Sequence, residues 1–383
     1  MDKITLPTKS LSSTWTSSVI NSSVFHLPSA LEGDSVSGTA FDYMEYNESE
    51  GTPSKPNDNH IFQILCSLLY SIGFLLGVAG NGVVIWIAGF RMKKMVNTVW
   101  FLNLAIADFT FTVFLPFSIA YTAMGFHWPF SKIMCKLNST MVSLNMFASV
   151  FFLMAISVDR CVSVINPVWA QNHRTPRLAS FIALGIWASA LMVSWPTLMF
   201  RTTSSSTGGE NIVCYNDFGL PGDLQDKFIK LNRYTVIISV RFVLGFLLPF
   251  SVIAVCYAII ATKLNQDRMA ASSKPFKIII AVIICFFLCW FPFHVISFLE
   301  LSNFAYGEHH QGVVSIGMPV CSSLAFLNSC INPIIYVFNG RAFRESFRLS
   351  IITVFENAFN DVTAQPSSAS SRLRSISRVE SQL

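Results

Sequence analysis

Charged side chains are scarce in this chain: Asp, Glu, Lys and Arg make up only 12% of its 383 residues. Soluble domains carry about a quarter charged residues, so this shortage argues against a surface that faces water on all sides. Nine cysteines at irregular spacing exclude a disulfide-rich scaffold and show no metal-ligand spacing. The N-terminus has no basic flank followed by an apolar run. We therefore predict no cleavable signal peptide and expect the first membrane span to direct insertion.

Long apolar runs are abundant: 52% of the residues are hydrophobic, and 35 residues are Phe. Seven runs reach the roughly 20 residues that a membrane-spanning helix needs. Backbone groups in hydrocarbon must bond within their own segment, which predicts helices. A soluble all-α protein would need charged outer faces on its helices, whereas these runs are apolar all round. The predicted spans cover 61–90, 95–131, a run from Ile133 to Asp159-Arg160, 178–200, 234–262, a run between Lys277 and Glu300, and a run between Glu308 and Arg341.

Lysine and arginine are concentrated in the loops on one side of the predicted bundle, and this side is expected to be cytoplasmic. The loops on the other side have fewer basic residues, which acidic residues balance. Because the number of spans is odd, the N-terminal tail is then extracellular and the C-terminus cytoplasmic. The basic residues on the richer side are Arg91, Lys93, Lys94, Arg174, Arg177, Lys263, Arg268, Lys274, Lys277, Arg341, Arg344 and Arg348.

The pattern predicts an all-α membrane protein, a seven-transmembrane helix bundle with a short amphipathic helix after the seventh span. We expect a disordered extracellular tail over 1–60, the bundle over 61–338, a juxtamembrane helix over 339–356 and a disordered Ser-rich cytoplasmic tail over 357–383. The N-terminal tail has too few large apolar side chains to fold alone. The Ser-rich tail is either a solubilising segment or one that phosphorylation turns from basic to acidic, which would suit a basic docking partner.

Two kinds of modification site are predicted in the N-terminal tail. Asn21 and Asn47 each begin an Asn-X-Ser sequon on the side where glycosylation occurs. Tyr43 and Tyr46 lie among carboxylates in the run 42–48. This run has two interpretations: a solvated acidic tail, or a tyrosine-sulfation site that attracts a basic ligand from a distance.

Polar residues inside the apolar runs are expected to be functional, because ionisable groups in a bilayer are costly. Asn81 lies in the first span and Asp108 in the middle of the second. The third span ends in Asp159-Arg160-Cys161, the sixth contains Cys289-Trp290-Phe291-Pro292, and the seventh contains Asn332-Pro333-Ile334-Ile335-Tyr336. In this order and on these helices, the motifs resemble those of rhodopsin-like, G-protein-coupled receptors.

The resemblance implies a conformational switch, and the residues suggest how it works. Arg160 can pair with Asp159 in a resting state, and release of the pair would free a long cation for a cytoplasmic partner. Trp290 stands two residues before Pro292, where the helix lacks a backbone hydrogen bond and can hinge. Pressure on Trp290 from outside would then swing the cytoplasmic half of the helix. The other predicted switch residues are Asn332, Pro333, Tyr257 and Tyr336, and the tyrosines resemble a pair that family members bring together in the active state.

Asp108 needs a counter-charge or a proton at its depth in the membrane. Asn145 and Ser149 lie one turn apart on the third span, and Asn328 and Ser329 lie on the seventh. In the family that the chain resembles, these positions surround a sodium ion, and oxygen ligands suit such a cation. The alternative is a structural polar network with water. Sodium is thus expected as an allosteric modulator, and no cofactor is expected to be required.

Cys135 and Cys214 are the two cysteines predicted at the outer surface. Cysteines in an oxidising compartment pair, and the resemblance implies the same bond, from the third helix to the second outer loop. The other seven cysteines are predicted to be small apolar fillers within or near the spans.

The predicted pocket favours an anionic ligand group. Amine receptors of the family have an Asp at the position of Val142, so a cationic amine ligand is not expected. The deep charge here is Arg241, whose planar guanidinium suits a carboxylate, with Arg201 as a second cation and Glu300 as an opposite charge. A peptide whose free C-terminal carboxylate enters the pocket would satisfy this arrangement. Tyr121, Ser143 and Phe293 are also assigned to the ligand-binding site.

Several local runs are similar to those of the chemerin receptors, which belong with the formyl-peptide and complement anaphylatoxin receptors. Arg160 and Arg241 favour the G-protein-signalling kind, because the atypical second chemerin receptor has His and Lys at these positions. Formyl-peptide receptors share one of the runs, so a formyl-peptide or other peptide chemoattractant receptor stays an alternative, as does an atypical arrestin-biased chemerin receptor. The similar runs are 98–104, 167–174, 274–279, 286–290 and 299–301, while 126–130 and 145–152 are similar to the atypical receptor.

The resemblance implies a plasma-membrane chemoattractant receptor for a chemerin-like peptide or protein. Its further partners would be an inhibitory heterotrimeric G protein, arrestin, receptor kinases and membrane lipid, and no nucleic acid. Two other classes fit the sequence less well. A transporter would show internal repeats, and a membrane enzyme would need a nucleophile–base or metal constellation; we find neither in the sequence. The chain is therefore not expected to be an enzyme.

Overall fold

The computed structural model describes residues 56–205, 211–220, 226–266, 274–307 and 310–339. Within these residues, seven stretches of helix are long and apolar enough to cross a membrane, which confirms the predicted seven-helix bundle. The fifth of them consists of α6, a π-helical turn and α7, and the short α4 connects the third to the fourth. The helices are α1 (Pro56–Trp86, continued by a π-helical turn at Ile87–Arg91), α2 (Val96–Ala123), α3 (Lys132–Ile165), α4 (Pro167–His173), α5 (Pro176–Phe200), α6 (Lys227–Phe242, continued by a π-helical turn at Val243–Leu247), α7 (Leu248–Gln266), α8 (Lys274–Tyr306) and α9 (Gln311–Asn339).

Several helices extend beyond their predicted ends, α1 and α8 among them. α1 begins at Pro56, so the predicted boundary at residue 60 lies inside it. Proline suits the first position of a helix, where no backbone N–H is needed. α8 continues past Glu300 to Tyr306, because the charge at Glu300 is buried inside the protein and does not mark the membrane edge. The predicted juxtamembrane helix after Asn339 and the Ser-rich tail lie outside the described residues.

One helix is shorter than predicted. α2 ends at Ala123, eight positions before the predicted limit at 131. The chain turns sharply there because Gly125 and Phe126 both have positive φ values, 69° and 64°. Glycine adopts this conformation without a steric penalty, so the apolar residues that follow form a loop instead of further helix.

A two-stranded antiparallel hairpin, which the sequence analysis did not predict, follows α5. Its strands are β1 (Arg201–Ser205) and β2 (Ile212–Asn216), and Thr203 lies opposite Cys214. The loop after α2 joins the hairpin, because the backbone N–H of Trp128 donates to the carbonyl of Ile212 at 2.7 Å. We call this end of the bundle the hairpin end, and the end where Asp159 lies the Asp159 end.

The core of the bundle is built around α3, which packs against α2, α5 and α7 and is buried over most of its length. Met146, Phe147 and Phe152 are almost completely buried. α1, in contrast, exposes a row of leucines. An apolar outer surface of this kind explains why the chain needs so few charged residues.

Candidate ligand cavity and intramembrane polar network

A cavity lies among the helices at the hairpin end, lined by side chains of α2, α3, α5, α6, α8, α9 and both strands. The six residues predicted to bind ligand all lie in its wall, although they come from five different elements. The structure thus brings them together, and their role in binding stays a prediction. They are Tyr121, Ser143, Arg201, Arg241, Phe293 and Glu300.

Two arginines contribute to the cavity wall. Arg241 makes one hydrogen bond to another described residue, and this bond is long, 3.5 Å from Nη2 to Oγ1 of Thr197. A bond of this length is weak, so most of the guanidinium donors of Arg241 remain for water or a ligand. Arg201 is held more firmly, because its Nη2 donates to the carbonyl of Cys214 at 2.7 Å. Glu300 is buried in the same wall and supplies a negative charge.

Trp290 connects this cavity to the core. Its side chain is buried, lines the cavity and contacts the rings of Phe293 and Phe286, with centroid distances of 5.6 and 6.0 Å. Pro292 follows two residues later inside α8. A group that pushes on Trp290 from the cavity would therefore act on the helix close to a missing backbone hydrogen bond.

The predicted disulfide is present. Cys135 at the start of α3 is bonded to Cys214 of β2, with an S–S distance of 2.04 Å. Both cysteines are buried and pack with Trp128 and Tyr121. The bond therefore fixes the hairpin over the helix end and, through the Cys214 carbonyl, helps to position Arg201.

A polar network surrounds Asp108 in the middle of the bundle. Asn145 donates to one carboxylate oxygen at 2.9 Å, and Asn332 donates to the other at 2.8 Å. Ser329 Oγ donates to the side-chain oxygen of Asn145 at 3.3 Å, and Asn81 donates to the carbonyl of Ser329 at 2.9 Å. One buried carboxylate thereby joins α2, α3 and α9, and α1 is attached to α9 through the Ser329 carbonyl.

Ser149 and Asn328, the other two residues of the predicted sodium site, are buried as well. Neither the hydroxyl of Ser149 nor the side-chain amide of Asn328 has a hydrogen-bond partner among the described residues. Buried polar atoms of this kind normally bind water or an ion. The oxygen atoms of these two residues and the carboxylate of Asp108 are of a chemical kind that suits a small hard cation and equally suits water.

At the Asp159 end, the ion pair differs from the predicted one. Arg174, in the connection after α4, donates to both carboxylate oxygens of Asp159 at 2.7 and 2.8 Å. Arg160 instead donates to the side-chain oxygen of Asn97, which also accepts from Arg174. Consecutive residues of a helix point in different directions, so Arg160 does not face the carboxylate of its neighbour. The sequence analysis missed Arg174 and Asn97 as partners, because it used Arg174 only for orientation.

Of the remaining predicted residues, two have side chains that the structure describes and five do not. Tyr257 lies on α7 and packs with Cys161 and Cys256, and Pro333 lies on α9, against Gly80 of α1. Outside the described side chains lie Tyr336, the predicted glycosylation sites Asn21 and Asn47, and the predicted sulfation sites Tyr43 and Tyr46.

Seven spanning helices, a disulfide from the third span to a hairpin, a cavity at that end and a buried polar network together define a seven-helix membrane receptor. The sequence profile of the seven-transmembrane receptor (rhodopsin) family matches residues 80–336. The chain belongs to this family and is a multi-pass membrane receptor, not an enzyme.

Its relatives belong to the chemoattractant receptor group. Rat chemerin-like receptor 1 is 43% identical over 339 residues, which cover 86% of this chain and 89% of the relative. Human chemerin-like receptor 1 is 45% identical over 82% of this chain and 84% of its own length. Human N-formyl peptide receptor 3 is 40% identical over 82% of this chain and 90% of its own length. The predicted resemblance is thus confirmed over most of the sequence.

Proposed function

We propose that this chain is a cell-surface receptor that binds the C-terminus of a chemerin-like peptide or protein in the cavity. The observation that carries the proposal is the presence of Arg241, Arg201 and Glu300 in the wall of one cavity. A guanidinium matches the geometry of a free carboxylate, and Glu300 suits a cationic group elsewhere on the ligand. The similarity to chemerin-like receptor 1 of several mammals supports this ligand class.

The hairpin end faces the outside in this proposal, and the Asp159 end faces the cytoplasm. The disulfide at the hairpin end supports this orientation, since such bonds persist in oxidising compartments. The exposed basic residues Arg91, Lys93, Lys94 and Arg177 at the opposite loops support it as well. An N-terminal epitope tag should then be accessible on intact cells.

Signalling proceeds from the cavity to the Asp159 end. A bound ligand presses on Trp290, α8 hinges near Pro292, and Arg160 leaves Asn97 to meet a cytoplasmic partner. That partner is an inhibitory heterotrimeric G protein, followed by receptor kinases and arrestin acting on the Ser-rich tail. A sodium ion held by Asp108, Asn145, Ser149, Asn328 and Ser329 stabilises the resting state, because the oxygen donors of this set suit it.

A formyl-peptide receptor is the second candidate, supported by the 40% identity to human N-formyl peptide receptor 3. Calcium flux and inhibition of cyclic AMP formation in cells that express the chain separate the two candidates. We expect a response to chemerin that pertussis toxin abolishes, and a much weaker response to formyl peptides. A stronger response to formyl peptides would overturn the choice of ligand. Arrestin recruitment without any G-protein response would instead identify an atypical receptor.

A further inference from the structure

The connection between the first two spans carries a compact group of exposed cations at the Asp159 end. The first spanning stretch ends at Arg91 and the second begins at Val96, so that residues 92–95 alone join them. Lys93 and Lys94 lie in this connection, and both are exposed, as is Arg91. None of the three forms an ion pair with a carboxylate of a described residue. Three positive charges are thus available here for an external anion.

The same segment carries exposed apolar side chains. Phe90 is 79% exposed and Met95 is 49% exposed, and they flank the cations in the sequence. A connection of this length cannot extend far from the bilayer, so it lies where the hydrocarbon meets the lipid headgroups. Phe90 and Met95 can then contact acyl chains, while the long basic side chains extend to the level of the lipid phosphates.

Two contacts hold the cations in place. The hydroxyl of Thr98, in the first turn of α2, donates to the carbonyl of Lys93 at 3.3 Å and fixes the backbone there. The guanidinium of Arg91 lies over the ring of Trp86, with Cζ 5.1 Å from the ring centroid, an arrangement that attracts a cation to the face of an aromatic ring. Such preorganisation lowers the entropic cost of binding one ligand through several charges.

We propose that this segment binds the headgroup of a phosphoinositide, an inositol lipid that carries several phosphate groups. Arg91, Lys93 and Lys94 take the phosphates, and Phe90 and Met95 lie against the acyl chains. Three cations within four positions match a headgroup with several phosphates, whereas the single net charge of phosphatidylserine would leave most of them unpaired. Basic segments next to membrane helices attract such lipids in the cytoplasmic leaflet. The choice of leaflet rests on the orientation given under the proposed function, but the binding does not.

Lipid titrations of the purified full-length receptor in detergent test the site. We expect phosphatidylinositol 4,5-bisphosphate to bind at least about 10-fold more tightly than phosphatidylserine. Replacement of Arg91, Lys93 and Lys94 by Gln should weaken the bisphosphate lipid by roughly 100-fold, since each basic side chain near an anionic headgroup contributes about a factor of five. Arg177→Gln removes an exposed cation at the start of α5 and is the matched control, which should bind as the parent does.

A second variant separates the loss of charge from a loss of structure. Lys93→Arg combined with Lys94→Arg keeps both charges and should bind the bisphosphate lipid as tightly as the parent. Equal affinity of the parent for phosphatidylserine and the bisphosphate lipid would overturn the inference, because the segment would then be a positive surface without selectivity. Unchanged binding by the triple Gln variant would also overturn it.

The soluble headgroup inositol 1,4,5-trisphosphate distinguishes a lipid from a free phosphate compound. We expect it to bind more weakly than the lipid, and Phe90→Ser to weaken the lipid without affecting the headgroup. A headgroup that binds as tightly as the lipid would refute the role of the acyl chains. A receptor that binds the lipid through these cations but does not respond to chemerin would contradict the proposed function alone.

Discussion

Asp159 is held by Arg174 through two hydrogen bonds, from Nε at 2.7 Å and from Nη2 at 2.8 Å. The same Nη2 also donates to Asn97, which accepts from Arg160. The end of α3 is thus linked to the start of α2 and to the connection before α5. Arg160 is held by Asn97, so the proposed release of Arg160 would require that this hydrogen bond breaks.

A double-mutant cycle should reveal the coupling between Asp159 and Arg174. The side chains are 10% and 27% exposed, so solvent weakens the pair and we expect a coupling of about 1 kcal/mol. Asp159→Asn and Arg174→Ala should each lower the midpoint of thermal denaturation in detergent, and the double variant should lower it less than their sum. Arg177→Ala, which removes an exposed cation three residues away, serves as the control. Strictly additive shifts would show that the pair adds no stability.

Arg160→Ala should leave ligand binding largely intact and abolish G-protein activation. Arg160 lies at the Asp159 end of α3, far along the helix from the cavity residues Ser143 and Met146. Binding of labelled chemerin and nucleotide exchange on purified G protein would be measured on the same preparation. Full exchange by the variant would remove Arg160 from the mechanism, and Arg177→Ala should resemble the parent in both assays.

The parts of the fold that follow from hydropathy were predictable, and those that depend on contacts between helices were not. Seven apolar runs and the buried Asp108 are visible in the sequence, because the membrane penalises charge wherever it occurs. The partners of Asp159 and Arg160 could not be predicted in this way. Arg174 reaches Asp159 from the connection after α4, and Asn97 reaches Arg160 from α2. No periodicity indicates which of several loop arginines will face a given carboxylate. The hairpin was missed because β1 is a short run, mostly Thr and Ser, whose sequence resembles a loop.

Loss of the disulfide should reduce the amount of receptor at the cell surface. Cys135→Ser and Cys214→Ser each remove a bond that closes a loop of 79 positions, and loss of a native disulfide typically costs about 2–5 kcal/mol. Detachment of β2 would also free the carbonyl that holds Arg201. Surface staining and ligand binding would be compared with Cys285→Ser, which lacks only a free thiol. Normal binding by either variant would show that the bond is not needed.

Asp108→Asn should abolish any effect of sodium on agonist affinity. The variant removes the negative charge on which the proposed ion depends, while an amide can still bond to Asn145. Agonist affinity would be measured in sodium and in potassium at equal ionic strength. Asp226→Asn changes a carboxylate that caps the start of α6, and should keep the sodium response of the parent. An equal response in Asp108→Asn would locate sodium elsewhere.

The two cavity arginines differ in the hydrogen bonds that their guanidinium groups make to the protein. Arg201 is fixed to the Cys214 carbonyl at 2.7 Å, whereas the described bond of Arg241 is 3.5 Å long. A partly buried cation with unsatisfied donors is costly in a membrane, about 2.5–3.5 kcal/mol for an unpaired arginine at mid-depth. We therefore expect Arg241, rather than Arg201, to bind the terminal carboxylate of a peptide.

Arg241→Ala should accordingly weaken a free-acid peptide by roughly 30-fold or more, since loss of a buried charge pair costs about 2–5 kcal/mol. A C-terminally amidated peptide should already be weak on the parent and should lose little further on the variant. Dose–response curves for both peptides on both receptors test this non-additivity. Arg241→Lys keeps the charge but loses the planar guanidinium, so its potency for the free-acid peptide should fall between those of the parent and Arg241→Ala. Arg233→Ala controls for the loss of a cation on α6. If amidation and Arg241→Ala weaken potency independently, the carboxylate does not bind Arg241, and Arg201 becomes the better candidate.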